Sequence, residues 1–307
     1  MDAIISHLTN KSVFAHVEKI ERIYTGASGA ELFAIVAGGN EYVLKTASPI
    51  GRHIADYQRE CSFYELNRTL RLSFAPEIVY MENHPEHGII IVMKRYKSIS
   101  HNEWDRELQF RAVDLCAELN SVPTESVSGL ACFVPAVIDP DFTQKSYSEW
   151  KTVLSQHRGE FDDLILDEIY KNICLVCPVL NSEPHYVCHG DFHSENILMD
   201  DDRLMLCDWQ NVGIGKCIGD ISFFISRSIG FGINVNPDEL LDHYCEMLSI
   251  KKAFEIKKSV LLKERYASSV LNIFSFWAYH LKKCSREKVA MYFDEMVKGY
   301  TYLVNNP

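Results

Sequence analysis

Nowhere in this chain does an apolar run approach the roughly 20 residues that a membrane-spanning helix requires, and the start, Met1-Asp2-Ala3-Ile4-Ile5-Ser6-His7, lacks the basic opening and long apolar segment of a secretory signal. Basic residues are in deficit. Lys and Arg number 31 against 42 Asp and Glu, a formal net charge of −11, which is the opposite of the basic footprint of a nucleic-acid binder. Neither a membrane nor a nucleic acid is therefore expected as a partner. The ten cysteines are scattered singly through apolar stretches, apart from Cys174 and Cys177. No second pair or adjacent histidine completes a zinc site there, and no thioredoxin-like strand precedes it; at helical spacing the two line one apolar face. Free thiols in a reducing cytoplasm are expected. No internal repeat or low-complexity tract is visible. With 307 residues, 47% hydrophobic and 24% charged, the chain has an ordinary globular composition and enough length for two lobes.

The most informative stretch is His189-Gly190-Asp191-Phe192-His193-Ser194-Glu195-Asn196, followed by Ile197-Leu198-Met199, an acidic turn and Leu204-Met205-Leu206-Cys207-Asp208-Trp209. Two apolar runs around a turn predict a hairpin preceded by a polar loop. Asp191, Asn196 and Asp208 then gather at one end of it. Phosphoryl transfer needs that set: one carboxylate for the hydroxyl proton, and an Asn and an Asp to hold magnesium on the phosphates. The protein-kinase pattern is H-R-D-x-x-x-x-N followed by D-F-G. Here Gly190 replaces the Arg and Asp208-Trp209-Gln210 replaces D-F-G, with the Asp-to-Asn spacing unchanged. A competing reading takes His189, Asp191 and His193 as metal ligands of a binuclear phosphoesterase. That class needs a later Gly-Asn-His-Asp/Glu motif, and the later histidines, His243 and His280, sit in none.

Upstream, Leu32–Ala37 and Tyr42–Lys45 flank a Gly38-Gly39-Asn40 turn and predict a β-hairpin. The small-residue loop before it, containing Ser28, has two glycines and no G-x-G-x-x-G. Apolar residues from Arg52 to Leu70 recur at helical spacing, with Glu60 among them. Gly88–Tyr96 reads as a buried strand that turns polar at Lys94. An amphipathic helix is predicted from Asp105 to Asn120, stopped by Pro123. Residues 121–145 look irregular, and helical periodicity returns at Ser146–Leu180 and from Pro237 to the end.

H-G-D-x-x-x-x-N followed by a hydrophobic-Asp-Trp strand end resembles the aminoglycoside phosphotransferase and choline kinase-like family of small-molecule kinases. Arg59-Glu60-Cys61-Ser62-Phe63-Tyr64 is similar to the family's R-E-x-x-F-Y helix, and Gly215–Ser222 falls in register with its G-D-x-x-x-D-L-A. There Asp220 is kept, but Lys216 stands where the family often has Asp, and Asn120 stands where it has His. The resemblance spans essentially the whole chain. It implies an α+β, two-lobed protein-kinase-like fold, with a small β-rich N-lobe at 1–95 and a larger, mainly helical C-lobe at 96–307. It further implies ATP or GTP and Mg2+ as cofactors. Lys45, steadied by Glu60, would hold the α/β-phosphates. Ser28 would lie over them, and backbone around Met93 to Arg95 would meet the base. Asn196 and Asp208 would bind the metal, Asp191 would take the acceptor proton, and His189 and Asp220 would brace the loop. The acceptor is expected to be a small-molecule hydroxyl, and the acidic balance fits a cationic one. An aminoglycoside or other amine-bearing antibiotic comes first, and a metabolite such as choline, ethanolamine, homoserine or a sugar second. Tyr147, Trp150, Asp162, Asp163, Phe276, Trp277, Tyr279 and Asp294 are candidate walls for it. A non-catalytic pseudokinase would normally have lost one of Lys45, Asp191, Asn196 or Asp208; all four are present.

Overall fold

In the computed structural model, residues 1–23, 29–48, 54–157 and 161–306 are described. Helix α1 (Asp2–Asn10) leads into a five-stranded antiparallel sheet built from β1 (Lys19–Ile23), β2 (Glu31–Ala37), β3 (Asn40–Ala47), β4 (Ile78–His84) and β5 (Gly88–Lys94), in the order β1-β2-β3-β5-β4. Helix α2 (Ile54–Leu70) connects β3 to β4. The β2–β3 turn is made by Gly38 and Gly39, both at positive φ (57° and 73°), as a two-residue turn matched to strand twist requires.

The unbroken apolar run of β5 follows from burial on both faces. Ile90 and Val92 pack with Leu8, Phe14, Ile35 and Leu44 under α1. Ile89, Ile91 and Met93 point the other way, toward Tyr57, Phe63 and Tyr64 of α2. Their alternation is the period-2 geometry of a strand.

After a short strand β6 (Lys97–Ser98), the remainder is mostly helical. Helix α3 (Arg106–Ser121) is capped by the Asp105 side chain, which accepts from Leu108 N–H. Then come α4 (Pro140–Ser155), α5 (Asp163–Asn172) and α6 (Val176–Asn181). Next come β7 (Tyr186–Cys188), the expected hairpin β8 (Ile197–Asp200) and β9 (Arg203–Leu206), and β10 (Gly213–Gly215). The chain closes with α7 (Ile218–Gly230), α8 (Pro237–Lys252), α9 (Lys258–Asn272), a π-turn at Ile273–Trp277, α10 (Ala278–Leu281) and α11 (Arg286–Asn305). Among the described residues, no helix is long and apolar enough to cross a membrane.

Several expectations are corrected. Helix α4 starts at Pro140, inside the stretch read as irregular, because Asp139 caps it and Pro140 occupies a first-turn position where its missing N–H costs nothing. Helices α1 and α7 were not anticipated. Trp150 is no ligand wall: it is fully buried in a second core with Phe274, Leu281 and Phe293, and its indole N–H donates to Phe274 O (3.1 Å). Asp162 caps α5 by accepting from Leu164 N–H. Cys177 packs against that same core, but Cys174 is exposed, so the two do not share an apolar face. All ten cysteines are free thiols.

Candidate active site

The site forms where the sheet meets the β8–β9 hairpin. Lys45 on β3 points back under α2 and is 5% exposed. Its Nζ donates to Glu60 Oε2 (2.7 Å) and Asp208 Oδ1 (2.8 Å). Burial opposes the charge on Lys45, but the Glu60 and Asp208 carboxylates outweigh it and hold the ammonium above its ordinary range. Glu60 is fully buried and its other oxygen accepts from the Tyr64 hydroxyl (3.1 Å).

Asp208 follows β9 in the left-handed region (φ 67°, ψ 63°). That turn buries Trp209, which stacks on Phe63 with ring centroids 3.8 Å apart, and exposes the Asp208 carboxylate. Gln210 Nε2 also donates to Asp208 Oδ1 (2.7 Å). The Gln210 carbonyl accepts from Arg59 Nη1 (2.8 Å), so α2 grips one end of this turn directly and the other through the Glu60–Lys45–Asp208 chain.

The polar loop is held from below. Asp220 at the start of α7 accepts from the backbone N–H of His189 (2.8 Å) and Gly190 (2.9 Å). Asn120 takes part through Nδ2, which donates to Val187 O (2.8 Å) and Asp220 Oδ2 (3.3 Å). Gly190 sits at φ 79°, and a Cβ there would collide with the Asn211 carbonyl. His189 is fully buried and accepts from Asp191 N–H at Nδ1 (3.3 Å), which leaves Nε2–H to donate to Cys207 O (3.0 Å). Burial pushes its pKa down to about 4 despite the nearby Asp208 and Asp191 carboxylates, so the ring is neutral. With both nitrogens engaged, it has none to offer a metal, as the phosphoesterase reading requires.

Asp191 is half-buried at the lip of this loop. Asn196 Nδ2 donates to its carbonyl (2.9 Å) and its Oδ2 (3.2 Å), and His193 Nε2 lies 3.7 Å from its Oδ1. Burial favours the neutral acid, but His193, His189 and Asn196 together hold the carboxyl below its ordinary value. It is therefore an ionised, oriented carboxylate at neutral pH. The amide oxygen of Asn196 and the second oxygen of Asp208 are hard, neutral-plus-anionic donors of the kind magnesium takes.

The profile of the phosphotransferase enzyme family (APH) matches residues 19–247. The chain belongs to that family. The phosphotransferase is 33% identical over 86 residues to Protein LicA of Haemophilus influenzae, a match covering 27% of this chain and 32% of that relative, so it spans about a third of the curated protein. Among solved structures it resembles ADP-bound aminoglycoside phosphotransferase APH(2'')-Ib (18% identity, 97% of both chains, TM-score 0.56). It also resembles choline kinase LicA from Streptococcus pneumoniae (14% identity, 99% of both chains, TM-score 0.57). These likenesses give the phosphotransferase a protein-kinase-like α+β fold.

Within that fold, Lys45, Glu60 and Asp208 are joined directly, and Asp191 and Asn196 are joined to each other. Met93 lies inside the sheet, paired with Val43 on one side and Ile78 on the other. Arg95 N–H donates to Glu41 O (3.1 Å) and its guanidinium to Glu41 Oε2 (3.2 Å). Ser28 lies outside the described residues. The sequence pattern gave no role to Gln210 or Glu195, and gave His193 one only in the metal-ligand reading, although all three sit inside the motifs that were read. Lys216 is resolved as structural: buried, it pairs with Glu264 Oε1 (2.7 Å) and donates to Ser182 O (2.6 Å).

Proposed function

We propose that this phosphotransferase moves the γ-phosphoryl group of ATP or GTP to a hydroxyl of a small molecule. The observation that carries the reading is the chain Glu60–Lys45–Asp208, three charged groups drawn from α2, β3 and the end of β9 into contact within 2.8 Å. A buried ammonium shared between one buried and one partly exposed carboxylate is the kind of perturbed charge cluster that marks functional sites. In this reading Lys45 holds the α/β-phosphates and Glu60 holds Lys45. The Met93–Arg95 backbone borders the base, and Ser28 covers the phosphates. Asn196 and Asp208 hold Mg2+, which supplies charge neutralisation on the phosphates. Asp191 orients the acceptor hydroxyl and takes its proton, while Asp220 and neutral His189 fix the loop that carries it. The lobe division at 95/96 fits the end of the five-stranded sheet at Lys94, since the next strand, Lys97–Ser98, pairs with β8 instead.

For the acceptor, an amine-bearing alcohol suits both the acidic chain and the family. The sequence-level match is to a protein named LicA, and the Streptococcus protein of that name is a choline kinase. This favours a choline-type amino alcohol over the aminoglycoside that composition and resemblance put first. Nucleotide consumption with magnesium, assayed against choline, ethanolamine, homoserine and a set of aminoglycosides, tests it. No turnover with any alcohol, together with no magnesium-dependent nucleotide binding, would sink the kinase reading. Turnover with aminoglycosides alone would reverse the order of acceptors.

A further inference from the structure

We infer that Glu195 is the residue that receives the acceptor's cation, and that Arg227 occupies its place in the free protein. This rests on the phosphotransferase reading above. Glu195 belongs to the short 3-10 turn Ser194–Asn196, between the residue that faces the acceptor hydroxyl and the one assigned to the metal. Its backbone N–H donates to His193 Nδ1 (3.3 Å), which turns His193 Nε2 toward Asp191 Oδ1. The Glu195 side chain is 49% exposed, with Oε2 3.8 Å from His193 Nδ1 and 3.3 Å from Arg227 Nη2.

Lys45 and Gln210 lie on Asp208, and Asn196 takes Asp191 Oδ2. The remaining oxygen of Asp191, Oδ1, faces His193, and behind His193 stand Glu195, Phe223 and Arg227 of α7. Phe223 is 38% exposed and meets the His193 ring edge-on (centroids 5.8 Å apart). Around the His193 that faces Asp191 there are thus a half-exposed carboxylate and an exposed aromatic ring, a combination that suits an organic cation.

Arg227 is held there loosely. Its guanidinium lies over Phe231 (4.6 Å) and bonds Glu195 once, while its Nε is buried without a partner among the described residues. A guanidinium seated for good on a carboxylate would use its fork in two parallel bonds. An ammonium arriving on an alcohol would exchange with Arg227 charge for charge, leaving Glu195 paired throughout. Release of Arg227 therefore accompanies amine binding, and neutral alcohols gain nothing at this wall.

Calorimetric titration of the full chain with magnesium-ADP present tests this, using choline, ethanolamine and kanamycin as probes and 3,3-dimethylbutan-1-ol as an uncharged counterpart of choline. Glu195→Gln keeps the backbone bond to His193 and should weaken amine binding about tenfold: ethanolamine and kanamycin lose a charge-assisted hydrogen bond, and choline, which has no N–H to donate, loses the direct attraction of the carboxylate. Arg227→Met should tighten the same amine about two- to fivefold, the scale of a partly exposed ion pair. Both variants should bind magnesium-ADP and the uncharged alcohol as the wild type does. The inference is overturned if Glu195→Gln leaves amine affinity unchanged, if Arg227→Met weakens it, if either variant loses nucleotide binding in parallel, or if the wild type binds magnesium-ADP but none of the amines. Magnesium-ADP binding by the wild type, read in the same titrations, judges the phosphotransferase reading separately.

Discussion

Lys45 Nζ stands 2.8 Å from Asp208 Oδ1, although the two residues are 163 positions apart. The same ammonium bonds Glu60, so one buried cation bridges a fully buried carboxylate and a partly exposed one. Truncating one member of a buried set leaves the others unpaired at low dielectric, at a cost of about 3–5 kcal/mol. Lys45→Ala is therefore expected to lower unfolding free energy by that order as well as to abolish productive nucleotide binding. Urea denaturation beside nucleotide titration, at a temperature where the variant is folded, measures both. Wild-type nucleotide affinity in the folded variant would reduce Lys45 to a structural residue.

Asp191 and Asp208 should separate by role. Asp191→Asn is expected to keep magnesium-dependent nucleotide binding while turnover falls about 10²–10⁴-fold, the usual worth of a general base. Asp208→Asn should weaken magnesium-nucleotide binding as well, because a charged ligand is taken from the cation. Titrations with and without magnesium, set against steady-state rates, make the comparison. Equal binding defects in the two variants would remove the distinct assignments.

The site was legible wherever local spacing carries it. The loop from His189 to Asn196 and the hairpin that presents Asp208 depend on neighbours in sequence, and the structure follows that reading. What lay hidden was set by packing. Spacing does not say that Lys45 is buried, yet α2 roofs β3 at that point and covers it. Pro140 reads as loop punctuation, but behind a capping Asp139 it opens a helix. Trp150 suits a ligand wall or a core equally well in sequence, and only the approach of α4 to Phe274 of the π-turn decides for core. Asn120, a departure from the family pattern, turns out to keep a hydrogen bond to Asp220.

Lys216 illustrates a charge that the family pattern made doubtful and packing explains. It ties the start of α7 to α9 through Glu264, and both side chains are nearly inaccessible. Lys216→Met should destabilise the fold by about 3–5 kcal/mol by stranding the Glu264 carboxyl, while turnover per folded molecule stays within about twofold, the scatter expected of a change remote from the chemistry. Chemical denaturation and active-site-normalised rates report the two effects. A collapse of turnover in fully folded protein would place Lys216 in the site after all.

His189 and Asp220 should shape acid stability in opposite senses. His189 falls from 6.5 to about 4 through burial, so below pH 6.5 the unfolded chain takes up a proton that the fold refuses. Its contribution is complete above pH 6.5 and drains away, by about 3 kcal/mol, as pH falls toward 4. Asp220 rises from 3.8 to about 6 through burial, against the N–H donors of Gly190 and His189. Its contribution is complete below pH 3.8 and is lost as pH rises through 6, so acidification regains about 3 kcal/mol over nearly the same window. The two slopes offset each other in the wild type. Asp220→Asn removes the second and leaves the first exposed, beyond any constant loss from the weaker grip on the loop. Urea denaturation at pH 7, 5.5 and 4.5 should show the variant losing about 2 kcal/mol more than the wild type between the extremes, since part of the Asp220 window lies below pH 4.5. Parallel stability curves for the two proteins would mean that His189 and Asp220 do not titrate in opposition.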